Sequence, residues 1–250
     1  MKELYDMHCH IVPGVDDGAC DMKMSVRMLQ KEYEDGVRCI IATPHFRYDM
    51  FEPSQQLILH NFLKLKEKAE EIGEEGIQMY LGCELHASVD MAERLKKKER
   101  RSMAGSRYVL VEFGTLDEKS YIMDRIHDLV RNGYYPIIAH AERYQAVAKG
   151  GVRFLELLRE AGAYIQLNAD SITGAEGFFT KRFCKKVIKA GMLDFVGSDG
   201  HDMETRIPNI KEAYEKLKKI AGEETAQKIM AEHPACVIKN QKIYYENSGR

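Results

Sequence analysis

The sequence predicts an α/β fold, a barrel of seven parallel strand–helix units, (β/α)7, on the strength of two observations. Short apolar runs alternate with amphipathic helical patterns along the whole chain, as is typical of parallel strands covered on both faces. Histidines and acidic residues also follow six of the seven runs. A barrel gathers the carboxyl ends of all its strands around one mouth. The alternative, an open doubly wound sheet, places its site in a crevice that only a few strands reach.

The seven apolar runs are the predicted strands. They are Leu4–His8, Arg38–Thr43, Gln78–Gly82, Tyr108–Phe113, Tyr135–Ala139, Tyr164–Leu167 and Leu193–Gly197. Between them, apolar stripes at helical spacing predict helices, for example Met22, Val26, Leu29 and Tyr33, and Ile58, Phe62, Leu65, Ala69 and Ile72. A glycine follows each of five helices, where a left-handed residue ends a helix, at Gly36, Gly73, Gly133, Gly162 and Gly191.

Length and composition restrict the class of protein. With 250 residues, 44% of them hydrophobic, the chain can bury a full core, and we expect a single domain over residues 1–250. The net charge of −2 argues against a nucleic-acid partner, and no apolar run reaches the ~20 residues of a membrane span. Six cysteines without a CxxC pair, and no signal-peptide pattern, predict reduced thiols in a cytoplasmic protein.

The one dense charge run, Arg-Leu-Lys-Lys-Lys-Glu-Arg-Arg over residues 94–101, predicts a solvated helix face. A docking patch for an acidic partner is the alternative interpretation of this run.

The polar residues at the strand ends have the chemistry and spacing of metal ligands. His8 and His10 are two residues apart, so both face the same side of an extended strand. Each residue alone is better explained as a hydrogen-bonded histidine or a capping acid, and only the convergence of many predicts a metal site. The candidates are His8, His10, His45, Glu84, Glu112, His140, Asp199 and His201, with one of the adjacent acids Asp16 and Asp17.

The remaining histidines, His60, His86, His127 and His233, lie on predicted helices or loops and are interpreted as non-ligands. Among these four histidines, His86 is nearest in sequence to a candidate ligand, because it follows Glu84 by two positions.

Nine ligands exceed the four that one zinc ion takes and suit two or three divalent ions joined by bridging carboxylates. Four carboxylates against three such ions leave a site charge of about +2, which attracts a dianion such as a phosphate monoester. Two ions that share one water lower its pKa, so that hydroxide is available to attack phosphorus. The sequence therefore predicts a metal-dependent hydrolase.

Two arginines follow strand-end ligands, Arg143 three residues after His140 and Arg206 five after His201. Guanidinium groups match phosphate oxygens, so both arginines are expected to clamp a phosphate, with surface salt bridges as the alternative. No cysteine has an arginine six positions later, which argues against a cysteine-dependent phosphatase. Cys9, between two candidate ligands, is expected to point away from the metals.

Six segments resemble the PHP (polymerase and histidinol phosphatase) superfamily. Within it, they are most similar to the manganese-dependent bacterial protein-tyrosine phosphatases of capsule and exopolysaccharide synthesis. The segments are His8-Cys-His-Ile-Val-Pro-Gly-Val-Asp-Asp-Gly18, Ile41-Ala-Thr-Pro-His45, Tyr108-Val-Leu-Val-Glu-Phe113, Ala139-His-Ala-Glu-Arg-Tyr144, Gln166-Leu-Asn-Ala169 and Ser198-Asp-Gly-His201.

The resemblance implies a distorted TIM-like (β/α)7 barrel with its metals at the C-terminal strand ends. It implies two to three divalent ions, with manganese favoured and iron or zinc as alternatives, and it selects Asp17 rather than Asp16 as a ligand. It also implies phosphate binding by Arg143 and Arg206. The implied substrate and partner is the tyrosine-phosphorylated tail of an autokinase of polysaccharide export.

The chain departs from the family pattern at two positions. Ala141 stands where the family has proline between the ligand His140 and Glu142, which leaves the turn before Arg143 freer. Ile207 replaces the first of two prolines after Arg206. Three other functions remain open at this point: a histidinol-phosphate phosphatase, a phosphodiesterase or nuclease on the same barrel, and a metal-binding module without turnover.

Overall fold

The computed structural model describes residues 3–245, and its strands curl into a parallel barrel wrapped by helices. The strands are β1 (Leu4–Cys9), β2 (Val37–Ala42), β3 (His45–Phe46), β4 (Gln78–Leu81), β5 (Glu84–His86), β6 (Tyr108–Glu112), β7 (Tyr135–Ile138), β8 (Tyr164–Asn168) and β9 (Phe195–Gly197). All seven predicted strands are present, because β3 and β5 extend the second and the third of them.

The helices alternate with these strands. They are α1 (Met22–Glu34), α2 (Gln55–Glu70), α3 (Met91–Lys96), α4 (Lys119–Arg131), α5 (Gln145–Glu160), α6 (Ala169–Thr173), α7 (Phe178–Lys189), α8 (Ile210–Ala221), α9 (Glu223–Gln227) and α10 (His233–Ile238). The five glycines predicted to end helices all have positive φ. Among the helices of residues 3–245, none has both the length and the apolar character that a bilayer crossing requires.

The ring of strands closes between β9 and β1. Parallel pairing joins β1, β2 and β4 in one sheet and β3 and β5 to β9 in a second. Asp199 N donates to His8 O over 2.8 Å, and His10 N donates to Gly200 O over 2.9 Å, which joins the last strand to the first. The predicted barrel is therefore confirmed, and the open-sheet alternative is wrong.

Two predicted strands are interrupted near their carboxyl ends. Pro44 lacks the N–H that a strand ladder needs, so β2 stops and β3 begins one residue later. Gly82 breaks the next strand where a Cβ would lie 2.9 Å from the sulfur of Met103. His45 and Glu84 consequently begin short strands instead of ending long ones. The hydrogen bond from Glu84 N to Pro44 O (3.2 Å) keeps the ladder continuous across both interruptions.

The buried face of helix α1 is rotated from the predicted stripe and overlaps it. Its fully buried residues are Ser25, Met28, Leu29 and Glu32, whereas Val26 is only half-buried. Ser25 is buried because its hydroxyl donates to the carbonyl of Ile11 (2.7 Å). Glu32 is buried beside the carboxyl group of Asp6 on β1, and its oxygens have no hydrogen-bond partner among the described residues.

The lower end of the barrel is closed by the segment that follows α10. The Tyr108 hydroxyl donates to Gln241 O (2.8 Å) and accepts from Ile243 N (3.1 Å). The Tyr164 hydroxyl donates to Ile243 O over 3.0 Å. Two phenols from the barrel interior thus hold the segment across the end opposite to the strand carboxyl termini.

We expect Tyr108→Phe and Tyr164→Phe each to lower the free energy of unfolding by about 1 kcal/mol, because each leaves buried backbone groups without a partner. Urea unfolding curves give the measurement. Tyr134→Phe is the matched control, since the Tyr134 hydroxyl forms no hydrogen bond among the described residues. Equal stability for all three variants would show that the two phenols do not hold the segment.

Candidate metal centre and active site

A β-bulge in β1 aims its two histidines into the barrel mouth. Three steps along β1 between Asp6 and Cys9 match only two steps along β2. The extra residue turns His8 and His10 to the same side, with their Nε2 atoms 3.1 Å apart. Gly197 of β9 leaves the space this requires, because a Cβ there would lie 2.4 Å from the Cβ of His8.

The carboxylate of Glu84 is the centre of the site. Its Oε2 lies 3.2 Å from His8 Nε2, 3.1 Å from His10 Nε2 and 3.1 Å from His45 Nδ1. Its Oε1 lies 2.9 Å from His140 Nε2. Two ligands bound 2.1 Å from one tetrahedral ion are about 3.4 Å apart, so these spacings suit shared cations.

A second group of ligand atoms lies at the outer edge of the mouth. Asp17 Oδ1 is 3.6 Å from His45 Nε2 and 3.5 Å from His201 Nε2. The rings of His10 and His201 are 3.9 Å apart between centroids. His10 therefore belongs to both groups and links the buried part of the site to the part that opens to solvent.

Asp199 and Glu112 complete the set. Asp199 Oδ1 lies 3.5 Å from the Nε2 atoms of both His8 and His10, and Glu112 Oε1 lies 3.9 Å from His140 Nε2. The structure thus brings together at one mouth all nine residues predicted from the sequence.

Asp16 occupies a different place from Asp17. Its Oδ2 lies 2.9 Å from His10 Nδ1 and accepts from His45 N (2.8 Å), while Oδ1 accepts from Gly18 N (3.0 Å). A carboxylate on the Nδ1 side of an imidazole fixes the ring and leaves Nε2 free for a cation. Asp16 therefore lies behind the imidazole of His10, and Asp17 lies in front of the imidazoles.

Strand β8 contributes two amides that hold charged residues in place. Gln166 Oε1 accepts from His140 N (2.8 Å) and lies 3.2 Å from His8 Nδ1. Gln166 Nε2 donates to Asn168 Oδ1 (2.8 Å), and Asn168 Nδ2 donates to Asp199 Oδ2 (2.7 Å). One strand without a candidate ligand thus connects three of them by hydrogen bonds.

Two further side chains support the site from outside. The Tyr144 hydroxyl donates to the Ala139 carbonyl (2.8 Å) and lies 3.2 Å from His140 Nδ1. His86 Nδ1 lies 3.2 Å from Glu112 Oε2. His86, interpreted from the sequence as a non-ligand, therefore contacts a candidate ligand.

Both predicted arginines meet at Asp199. Arg143 donates from one terminal nitrogen to Asp199 Oδ2 (2.8 Å) and from the other to Glu176 (2.6 Å). Arg206 lies 2.8 Å from the same Asp199 oxygen. Residues Ala141–Arg143 form a turn of 3-10 helix in which Arg143 N donates to His140 O (3.0 Å), so a turn forms without the family's proline.

The electrostatics of the site favour ionised carboxylates. Burial alone raises the pKa of Glu84, but the surrounding imidazoles of His8, His45, His10 and His140 hold it well below its ordinary value. Burial also raises the pKa of Asp199, but the nearby His8, His140, His10 and Arg206 bring that pKa well below its ordinary value. Both carboxylates are therefore negative at neutral pH.

The imidazoles divide into two kinds. Burial lowers the pKa of His45 and of His201, which favours the neutral form that binds metal. Burial also lowers the pKa of His10, but Asp16 and Glu84 outweigh it and raise the pKa well above normal.

Three buried ligand atoms have no hydrogen-bond partner among the described residues: His45 Nδ1, Glu84 Oε2 and His201 Nε2. Leaving a buried polar atom unpaired costs about 1–3 kcal/mol. All three point into the mouth among oxygen and nitrogen donors that suit divalent cations. The residues present therefore fit a cluster of metal ions.

The positioning residues Gln166, Asn168, Tyr144 and Glu176 were not identified from the sequence. A signal existed for the first two, because Gln-x-Asn at a strand end puts two amides on the face that carries ligands elsewhere. Glu176 precedes α7 in a loop, and only the folded chain brings it to Arg143.

The barrel, its closed ring of strands and this set of candidate ligands at the mouth are typical of a hydrolase of the metal-dependent TIM-like class. The phosphotriesterase homology protein of Escherichia coli shares the fold, with a TM-score of 0.58 and 11% identity over 94% of this chain and 98% of that one. At that identity the likeness concerns the fold alone.

Closer relatives identify the family. Residues 4–239 match the family described as capsular polysaccharide synthesis, CpsB/CapC, and the chain belongs to it. The tyrosine-protein phosphatase CpsB of Streptococcus pneumoniae is 32% identical over 96% of this chain and 100% of its own length. YwqE of Bacillus subtilis, also a tyrosine-protein phosphatase, is 30% identical over 96% of this chain and 94% of its own.

A solved structure agrees with this assignment. It comes from crystal structures of Bacillus subtilis YwqE and Streptococcus pneumoniae CpsB, described as metal-dependent tyrosine phosphatases. It superimposes with a TM-score of 0.89 at 29% identity over 96% of both chains.

We expect Gln166→Ala to weaken metal binding by about 10- to 100-fold, because it removes the contact that orients His8 and the backbone of His140. Metal per protein, measured after equilibration with a limiting Mn²⁺ buffer, tests this directly. Gln78→Ala, at an exposed glutamine on β4, is the control. Metal content unchanged in Gln166→Ala would mean that the two histidines hold their positions without the amide.

Proposed function

We propose that this chain is a metal-dependent protein-tyrosine phosphatase, a phosphoric monoester hydrolase whose single domain spans the chain. The observation that carries the proposal is that two arginines and nine metal-ligand side chains meet at one mouth. Membership of the CpsB/CapC family supports the same reaction, because its relatives are named tyrosine-protein phosphatases.

The metal ligands we propose are His8, His10, Asp17, His45, Glu84, Glu112, His140, Asp199 and His201. Two to three divalent ions fit this set, with manganese as the favoured metal and iron or zinc as alternatives. Glu84 would contribute to holding more than one ion, because its two oxygens face different histidines. Asp16 is assigned a positioning role behind His10.

When bound, the ions would supply a water of lowered pKa and offset the charge of the phosphate. The chain's own residues bind and orient the substrate. Arg143 and Arg206 approach Asp199 from the rim, each about one third exposed, and each guanidinium has five N–H groups. Both can therefore keep their contact with Asp199 while other N–H groups face phosphate oxygens.

Asp199 preorganises this clamp. Its Oδ2 accepts from Asn168 and lies 2.8 Å from a terminal nitrogen of each arginine, so the guanidiniums need little rearrangement when a phosphate arrives. A tyrosyl leaving group has a pKa of about 10 and departs with less proton assistance than an alcohol. Aryl phosphates therefore need less proton donation from the site than alkyl phosphates such as histidinol phosphate.

The substrate we propose is the phosphorylated tyrosine tail of a tyrosine autokinase in capsule or exopolysaccharide synthesis. The support is the family description, which places relatives in capsular polysaccharide synthesis. We place the reaction in the cytoplasm, in line with unpaired cysteines and no spanning helix in residues 3–245.

Chelation is expected to abolish hydrolysis of p-nitrophenyl phosphate, and added Mn²⁺ to restore it, because nucleophile and charge compensation both depend on the ions. Alkylation of thiols is expected to change the rate less than twofold, since Cys20 is the one fully exposed cysteine. The assay is run on a phosphotyrosine peptide and on histidinol phosphate in parallel. Full activity after exhaustive chelation, or preference for histidinol phosphate, would contradict the proposal.

Each arginine is expected to act on substrate. A charge-assisted hydrogen bond to phosphate is worth roughly 1.5–3 kcal/mol, so Arg143→Ala or Arg206→Ala should lower kcat/KM by about 10- to 100-fold. Metal content should stay unchanged, and lysine should restore only part of the rate, because it keeps the charge without the fork.

Arg27→Ala is the matched control for these variants, because Arg27 is exposed on α1 and forms no ion pair among the described residues. If the kcat/KM of Arg143→Ala stays within twofold of that of the parent, the phosphate clamp consists of Arg206 alone. Loss of metal in either variant would assign that arginine to the support of Asp199 instead of to the substrate.

A further inference from the structure

A groove lined by lysines runs down the flank of the barrel beside the active site. It has a volume of about 340 Å³ and lies between α7 and α8, with Ile172 of α6 at its edge. Its charged lining consists of Lys181, Lys185, Lys189, Lys216 and Lys219. No acidic side chain lines it.

The positive charge of the groove is not neutralised by the protein. Lys181 donates to the carbonyl of Thr173 (2.7 Å). The other four form no ion pair or hydrogen bond among the described residues. Helix α7 adds Arg182 and Lys186 and contains no acidic residue. Unpaired like charges this close repel one another, so an anionic occupant would be favoured.

The charge run over residues 94–101 differs in this respect. Arg94 pairs with Asp90 (2.7 Å) and Glu99 (3.0 Å), and Lys97 pairs with Glu93 (2.6 Å). The other cations of the run, Lys96, Lys98, Arg100 and Arg101, form no ion pair among the described residues, so the run is only partly compensated. The α7–α8 groove differs because none of its five lining lysines is paired with an acid and no acidic side chain lines it, which favours the groove for contact with an acidic partner.

The upper end of the groove adjoins the catalytic mouth. Helix α6 begins directly after Asn168, whose side chain contacts Asp199. Ile172 is four residues further, about 6 Å along a helix. Asn209, just before α8, donates to Asp170 of α6 over 2.6 Å. The groove thus starts on the segment that directly follows a strand of the active site.

We infer that this groove binds an acidic segment of the substrate protein next to its phosphotyrosine. The inference rests on the proposed phosphatase function and specifies its substrate class. Lys181 and Lys189 are eight residues apart on α7, about 12 Å, which about four residues of extended chain span. Two lysine-bearing helix walls around a concave channel suit a peptide chain better than the flat surface of a bilayer.

The experiment compares phosphotyrosine peptides that carry four glutamates, or four glutamines, on either side of the tyrosine. We expect the protein to hydrolyse one glutamate peptide with about tenfold higher kcat/KM than its glutamine partner, because several weak exposed ion pairs add together. The preference should disappear at high salt.

Two variants of equal net charge separate the groove from general electrostatics. The groove variant is Lys185→Gln, Lys189→Gln, Lys216→Gln and Lys219→Gln. The control variant, on other faces, is Lys23→Gln, Lys64→Gln, Lys66→Gln and Lys239→Gln. The groove variant should lose the preference for the glutamate peptide and keep its rate on p-nitrophenyl phosphate within twofold. The control variant should keep both.

The outcomes distinguish failure of the inference from failure of the function. Equal rates on all peptides, or an equal loss of the glutamate preference in both variants, overturn the inference. Activity on p-nitrophenyl phosphate in the same experiment would leave the proposed phosphatase function intact. If that activity is absent, fluorescence anisotropy of the labelled glutamate peptide still tests the groove. The inference is also overturned if the protein binds vesicles rich in anionic lipid and the groove variant loses this binding while its peptide preference is unchanged. That result would assign the groove to membrane binding.

Discussion

The site depends on one buried carboxylate surrounded by imidazoles. Glu84 is fully buried, and nitrogens of His8, His10, His45 and His140 lie within about one hydrogen-bond length of its oxygens. Such a concentration of polar groups without solvent is unfavourable unless opposite charge compensates it. This concentration of buried polar groups is confined to the mouth, and the barrel below the mouth is filled by apolar side chains.

The surrounding elements serve to hold that cluster. The bulge in β1 and the glycine at Gly197 place two histidines together, and the interruption before β5 directs Glu84 towards them. The amides of Gln166 and Asn168 then connect histidine, backbone and Asp199. The proposed phosphate-binding arginines and the candidate metal ligand His8 thus contact the same residue, Asp199.

Much of this arrangement was predictable from the sequence. The strands and the candidate ligands were predictable because apolar runs and strand-end histidines are local patterns, and the nine candidates do converge in the structure. The buried face of α1 was predicted only in part, because Leu29 is buried as expected but a serine and a glutamate are buried as well, which hydrophobic spacing does not report. Glu176, and the meeting of both arginines at Asp199, depend on the arrangement of distant loops, which no local pattern contains.

The closure of the ring between β1 and β9 affects the order in which the chain folds during its synthesis. Cys9 and Gly200, which meet where β1 joins β9, are 191 positions apart. Contacts over such separations form late, because the entropy of closing so long a loop must first be overcome. During translation, β1 therefore cannot pair with β9 until four fifths of the polypeptide has been made. The proposed ligand set, from His8 to His201, can therefore come together only after nearly the entire barrel has been translated.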